Sequence, residues 1–116
     1  MEIFLLFLKP TMDIPLQEGE SIIKEGAANH FKGMESAGGK LFLTTQRVFF
    51  KSHAFNIQTH EQSIPYSEIK SVGKRNTFFI IPNGMYVELL NGNKEKFVVF
   101  RRSKWISEIE KIIKKL

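Results

Sequence analysis

The chain has 116 residues, 42% of them apolar and 25% charged, with no cysteine and a formal net charge of +5. That length fits one domain, which at this size buries about 65% of its unfolded-chain surface and needs no covalent staple. The missing cysteines exclude disulfides and thiolate metal sites and fit a reducing compartment, while the positive charge tilts the protein toward anionic partners.

The chain opens on the apolar run Ile3-Phe4-Leu5-Leu6-Phe7-Leu8. It is far shorter than the roughly 20 residues of a membrane span, and it lacks the basic start and small-residue cleavage site of a secretory leader. It reads as an extra strand or an apolar tail, so residues 1–14 form an extension ahead of a domain at 15–116. Met12 offers an alternative start. Ser21 to Glu25 then reads as a weak strand, Ala27 to Gly33 as a mixed segment, and Met34 to Gly39 as a loop closing on two glycines.

The stretch from Gly38 to Ser52, GGKLFLTTQRVFFKS, places two apolar runs around a polar Thr-Thr-Gln-Arg knot. With Thr45-Gln46 as a two-residue turn, Leu43 faces Val48 and Leu41 faces Phe50 on one side of a ribbon, and Phe42 meets Phe49 on the other. Each facing pair is apolar, so the register is self-consistent. Neither Thr nor Gln favours positive φ, which leaves a longer type I loop open beside the tight turn. In both cases Thr44 and Arg47 shape a corner rather than contact a ligand.

Ser52 to Glu61 is polar and irregular, Gln62 to Tyr66 is a short strand, Ser67 to Ser71 a brief connection, and Val72 the start of another strand. Thr77 to Ile81 reads as an apolar strand, and Asn83-Gly84 after it is the strongest hairpin signal in the chain. A turn there pairs Ile80 with Val87 and Phe78 with Leu89. A second turn at Gly92-Asn93 sets Val87 opposite Val98 and Met85 opposite Phe100, making residues 77–100 a three-stranded meander. The period then changes: Trp105, Ile106, Ile109, Ile112, Ile113 and Leu116 recur at helical spacing. Ser103 is the expected N-cap, so residues 103–116 form one amphipathic helix laid on the sheet.

Together these residues resemble the GRAM domain family of the pleckstrin-homology-like superfamily. The resemblance rests on the Gly-x-Leu-x-Leu-Thr-x-x-Arg-x-x-Phe run at Gly39 to Phe50, the Ile-Pro-x-x-x-Ile segment at Ile64 to Ile69, and the aromatic-rich meander ending in the Trp105 helix. It covers about residues 17 to 116. It implies a mainly β fold with one C-terminal helix, a PH-like barrel or sandwich of two near-orthogonal antiparallel sheets capped by that helix. It also implies a non-catalytic module that binds membrane lipids or proteins.

The chemistry-bearing residues agree with a binding module. No nucleophile elbow, triad spacing or carboxylate pair points to catalysis, and no glycine-rich phosphate cradle points to a nucleotide, so neither an enzymatic activity nor a cofactor is expected. His30, His53 and His60 lie in loop-like segments without metal-ligand spacing, and we expect them to be exposed or locally hydrogen-bonded, with no metal. Gly38-Gly39 is expected to permit a close strand approach. Seven cations, Lys32, Lys40, Lys51, Lys74, Arg75, Arg101 and Arg102, fall at strand ends or in loops, where a small barrel can gather them into one anion-attracting rim. Lys111, Lys114 and Lys115 belong to a solvated helix face. The sequence leaves the partner undecided between a protein and an anionic membrane lipid, for a chain that is cytoplasmic or peripheral at a membrane surface. A nucleic-acid-binding small β-barrel is the alternative, prompted by charge and Phe content, but no recognition helix, RNP-like motif or zinc module supports it.

Overall fold

In the computed structural model, which describes residues 14–33, 35–53, 60–77 and 81–116, seven antiparallel strands precede one helix. The strands are β1 (Ile22–Lys32), β2 (Glu35–Thr44), β3 (Arg47–Ser52), β4 (Glu61–Pro65), β5 (Ile69–Thr77), β6 (Ile81–Leu89) and β7 (Lys94–Val99). A single 3-10 turn, Tyr66–Glu68, links β4 to β5, and helix α1 spans Arg102–Ile113. The expectations for the N-terminal run and for Met12, the interior of the 52–61 connection, and the pairings of Phe78 and Ile80 lie outside the described residues.

The hairpin β2–β3 has the register that its apolar alternation demands. Leu41 pairs with Phe50, Phe42 with Phe49, and Leu43 with Val48. Leu41, Leu43, Val48 and Phe50 enter the main core, while Phe42 and Phe49 form a second small cluster with Ile14 on the opposite face. Gly39 sits opposite Ser52, and a Cβ there would lie 2.1 Å from the Lys51 carbonyl oxygen. The expected close approach is therefore real at this glycine.

Two segments differ from their sequence reading. Ala27–Lys32 and Glu35–Gly39 are not an irregular passage: β1 and β2 pair along nearly their whole length, from Ile22 opposite Thr44 to Lys32 opposite Glu35. Small and polar residues have low strand propensity, but ladder hydrogen bonds and inward burial of Ala28 and His30 override it. Asn83-Gly84 is not a turn either. It lies inside β6, with Gly84 opposite both Arg75 and Val98, and Val87 faces Glu95 while Met85 faces Phe97. A Cβ on Gly84 would stand 2.6 Å from the Arg75 carbonyl oxygen, so this glycine is required by crowding between strands rather than by a turn. The meander expected at 77–100 is displaced: three consecutive antiparallel strands form as β5–β6–β7 over 69–99, and only the second turn is close to the expected place, where Gly92, at φ 92°, donates its N–H to the Leu89 carbonyl.

Strand order is β4-β3-β2-β1-β7-β6-β5. Two near-orthogonal sheets were expected. Instead one hydrogen-bonded sheet runs through β1, whose Ile22–Lys32 pairs with β2 and whose Ala28–Phe31 also pairs with β7. Because each of the seven strands contributes buried residues to the main core, the sheet curls around it, and α1 packs on β5, β6 and the 3-10 turn. The helix begins at Arg102, one residue before the expected start, and no side chain caps it. Arg101 stands at the N-cap in the left-handed region, φ 58° and ψ 56°. Trp105, Ile106 and Ile109 are buried, with Ile112 and Ile113 packed at the edge of the core, whereas Leu116 lies past the helix and is 75% exposed.

Candidate functional site

Alternate connections of the sheet share an end. β7 runs antiparallel to β1, so the exit from β7 into α1 lies at the opposite end from the close of β1 at Lys32. Of the seven cations expected on one rim, the structure gathers four at the β7–α1 end. Lys74, Arg101 and Arg102 line one hollow of about 450 Å³ together with Asn83, Val99, Phe100 and Ser103, and Arg75 is exposed next to Lys74 on β5. None of the lining side chains is acidic. Among the described residues none of the four cations makes an ion pair. An anion entering the hollow would meet uncompensated positive charge and the amino end of α1, whose backbone dipole adds to it.

The four cations differ in role. Arg102 Nη1 lies 3.0 Å from the Arg75 carbonyl oxygen, 2.9 Å from Asn76 Oδ1 and 3.2 Å from the Gly84 carbonyl oxygen. It donates inward and ties the start of α1 to β5 and β6. Arg101 instead lies over the ring of Phe100, 5.3 Å from its centroid. Phe100 is 79% exposed, an unusual state for a side chain with no polar atom. The remaining three cations are elsewhere. Lys32 is at the far end of β1, and Lys40 and Lys51 face each other across β2–β3, with Lys40 Nζ 2.8 Å from Glu25 Oε1. One rim was expected; the strand register leaves Lys32, Lys40 and Lys51 outside the β7–α1 end.

The Thr44–Arg47 knot is a corner, and a buried ion pair fixes it. Thr44 Oγ1 accepts from the Gln46 and Arg47 amides, at 3.0 and 2.9 Å, and donates to Glu20 Oε2 at 2.5 Å. Arg47 grips the Glu20 carboxylate through Nε at 2.8 Å and Nη2 at 3.2 Å, and also reaches the Pro15 carbonyl and Ser63 Oγ. Burial pushes the Glu20 carboxyl upward. Hydrogen bonds from Arg47, the Gln17 amide and Thr44, with the Arg47 charge, outweigh that and hold it at about 2. Every oxygen and nitrogen of the pair is spoken for, which leaves nothing to offer a ligand.

The GRAM domain family model matches residues 6–116. The chain belongs to the GRAM domain family. Among solved structures this GRAM domain is similar to the C-terminal domain of an unknown protein from Leishmania infantum, at TM-score 0.72 and 21% identity over 83% of this chain and 86% of that one. It is similar to the Vps36 N-terminal PH domain, at TM-score 0.70 and 15% identity over 87% and 84% of the two chains. The Slm1-PH domain in complex with inositol-4-phosphate follows, at TM-score 0.60 and 13% identity over 79% and 97%. At these identities the likeness is one of fold. No curated protein sequence matches the chain significantly.

Of the three histidines of this GRAM domain, His53 and His60 lie outside strands and helix as expected, but His30 does not. His30 lies within β1, 1% exposed, and packs on Phe97 with ring centroids 4.7 Å apart. Its Nδ1 is 2.6 Å from His60 Nε2 and its Nε2 is 2.7 Å from Glu95 Oε1. His30 is therefore neither exposed nor locally hydrogen-bonded: its partners are distant in sequence. Neither this chain of groups nor the Glu20–Arg47 pair leaves a sequence signal, because the partners are 30, 65 and 27 positions apart. Among the described residues no helix is long and apolar enough to cross a membrane.

Proposed function

We propose that this GRAM domain is a non-catalytic module, residues 15–116 with 1–14 as an extension, that docks on anionic membrane surfaces through the β7–α1 end. The observation that carries this reading is the exposed Phe100 ring set with Lys74 and Arg101 at a hollow without acidic lining. The ring supplies apolar area for the headgroup boundary, and the cations supply attraction of about 1 kcal/mol each near an anionic bilayer. The hollow would take a phosphate-bearing headgroup, with Lys74 and Arg101 as its cations and the first amides of α1 facing it. Arg102 holds the frame rather than the ligand. The Slm1-PH structure, whose fold this chain shares, contains inositol-4-phosphate, which supports the same ligand chemistry. The protein would then be cytoplasmic and peripheral. Lys32, Lys40 and Lys51 contribute only general attraction.

Co-sedimentation with vesicles tests this. Binding to phosphoinositide-containing vesicles should exceed that to neutral ones and fall with salt, since exposed charges act over about 8–10 Å at physiological ionic strength. Charge reversal at Lys74 and Arg101 together should weaken it by more than about tenfold, at roughly 1 kcal/mol or more per site. Reversal at Lys114 and Lys115 should do much less. Binding to neutral and anionic vesicles alike, or equal loss from both pairs, would contradict the proposal.

A protein partner is the second reading, supported by a different feature. Ile22–Ala27 of β1 pairs with β2 alone. A groove of about 520 Å³ runs between that strand and α1, lined by Ile23, Lys24, Ser103, Lys104, Ser107 and Glu108. Vesicle binding that disappears at every composition would leave this groove as the working surface.

A further inference from the structure

The end of the sheet opposite the basic hollow carries a group of titratable side chains that the proposed function does not use. His60 sits immediately before β4, at the close of the β3–β4 connection, and is fastened by its backbone: its amide donates to Ser52 Oγ at 2.7 Å, and its carbonyl accepts from the Ser52 amide at 2.8 Å. Its ring meets His30 edge to edge. The two planes differ by 12° and the centroids are 4.8 Å apart, the geometry of an in-plane bond between Nδ1 of one ring and Nε2 of the other. His30 in turn reaches Glu95 on β7. One side-chain line therefore joins the start of β4 to β1 and β7.

We infer that His60, His30 and Glu95 form a pH-operated latch that holds the β3–β4 end against β1 and β7 and releases it in mild acid. The proton count gives the mechanism. The Glu95 carboxylate accepts the hydrogen on His30 Nε2, so His30 Nδ1 and His60 Nε2 share one proton between them. A proton added to the other nitrogen of His60 turns that ring into a cation, 2.6 Å from His30 and partly buried beside Lys32, so the closed arrangement disfavours it and the open one does not.

The surroundings set the direction. β1 presents Lys32, which repels a charged His60; β7 presents Glu95, which attracts it; β3 presents the uncharged Phe50 and Ser52. Burial, followed by the charges of His30 and Lys32, holds His60 below its ordinary 6.5 against the pull of Glu95. Glu95 is held below its ordinary 4.5 by the His30 hydrogen bond, against burial, so it stays ionised while His60 titrates. A histidine lowered in the folded state contributes its full stability above 6.5 and loses it as pH falls below that value.

Amide hydrogen exchange read by NMR from about pH 7 to about pH 5, the range in which histidine titrates, tests the latch. After correction for intrinsic rates, protection at the Ser52 and His60 amides should fall by up to about tenfold per pH unit for each linked proton, while Leu41 and Val87 in the core stay protected. In His60→Gln, which cannot take up a charge, the fall should vanish. Should that variant not fold, Glu95→Gln gives the second reading: loss of the carboxylate moves release to higher pH. Flat protection in the parent protein, the same slope in His60→Gln, or an unmoved midpoint in Glu95→Gln would overturn the proposal.

Discussion

Replacing Glu20 by Gln removes the anion from a site that keeps its cation. Arg47 and Glu20 are both buried, and Gln retains the shape while losing the charge. The size of the effect follows from titration. A carboxyl at about 2 when folded, against an ordinary 4.5, differs by about 2.5 units at roughly 1.4 kcal/mol each, or about 3 kcal/mol. That agrees with the cost of about 3–5 kcal/mol for breaking a buried pair from one side. The sign is fixed by the lowered value: the stability is fully present above 4.5 and lost as pH falls from there to about 2. Urea melts of both proteins, repeated from neutral to acid pH, should therefore show Glu20→Gln less stable by about 3 kcal/mol at pH 7, with Tm lower by on the order of 10 °C. The gap should close in acid as the parent carboxyl is protonated. A gap under about 1 kcal/mol at neutral pH, below what a broken buried pair costs, would refute the reasoning. So would a gap that does not change with pH.

Other substitutions test the frame around the hollow. Ile109→Ala, at a fully buried position, should cost about 2–5 kcal/mol in denaturant melts, and a loss below about 1 kcal/mol would remove the helix from the core. Gly84→Ala should cost about 1–3 kcal/mol or more in the same melts, because its Cβ meets the Arg75 carbonyl oxygen at 2.6 Å. Thr45→Gly should lower stability by about 1 kcal/mol, since its hydroxyl accepts from the Ser21 amide at 3.1 Å, and should leave vesicle binding unchanged.

What the sequence made legible was local and apolar. The β2–β3 register could be read because Leu41–Phe50, Phe42–Phe49 and Leu43–Val48 are each satisfied only in that pairing. The helix could be read from the spacing of Trp105, Ile106 and Ile109. The Asn83-Gly84 turn misled because a glycine needed for close strand approach and a glycine needed for positive φ look alike in sequence. β1 was underread because its length depends on two neighbours, β2 and β7, rather than on its own residues. For the hollow, strand ends marked Lys74, Arg75, Arg101 and Arg102 as candidates, but only the order of strands decides which cations meet. Arg102 shows the limit most clearly: its charge was visible, yet its three inward oxygens come from β5 and β6. The pairings of Glu20 with Arg47 and of His30 with His60 and Glu95 arise wholly from tertiary contact.

The claim that the β7–α1 end is the membrane-facing surface is tested most directly by mapping amide shifts on titration with small bicelles containing a phosphoinositide. Perturbation and line broadening should concentrate at Lys74, Arg75, Asn83 and Phe100 to Ser103, with neutral bicelles leaving these signals in place. Shifts centred instead on Lys32, Lys40 and Lys51, or on Lys111, Lys114 and Lys115, would contradict it.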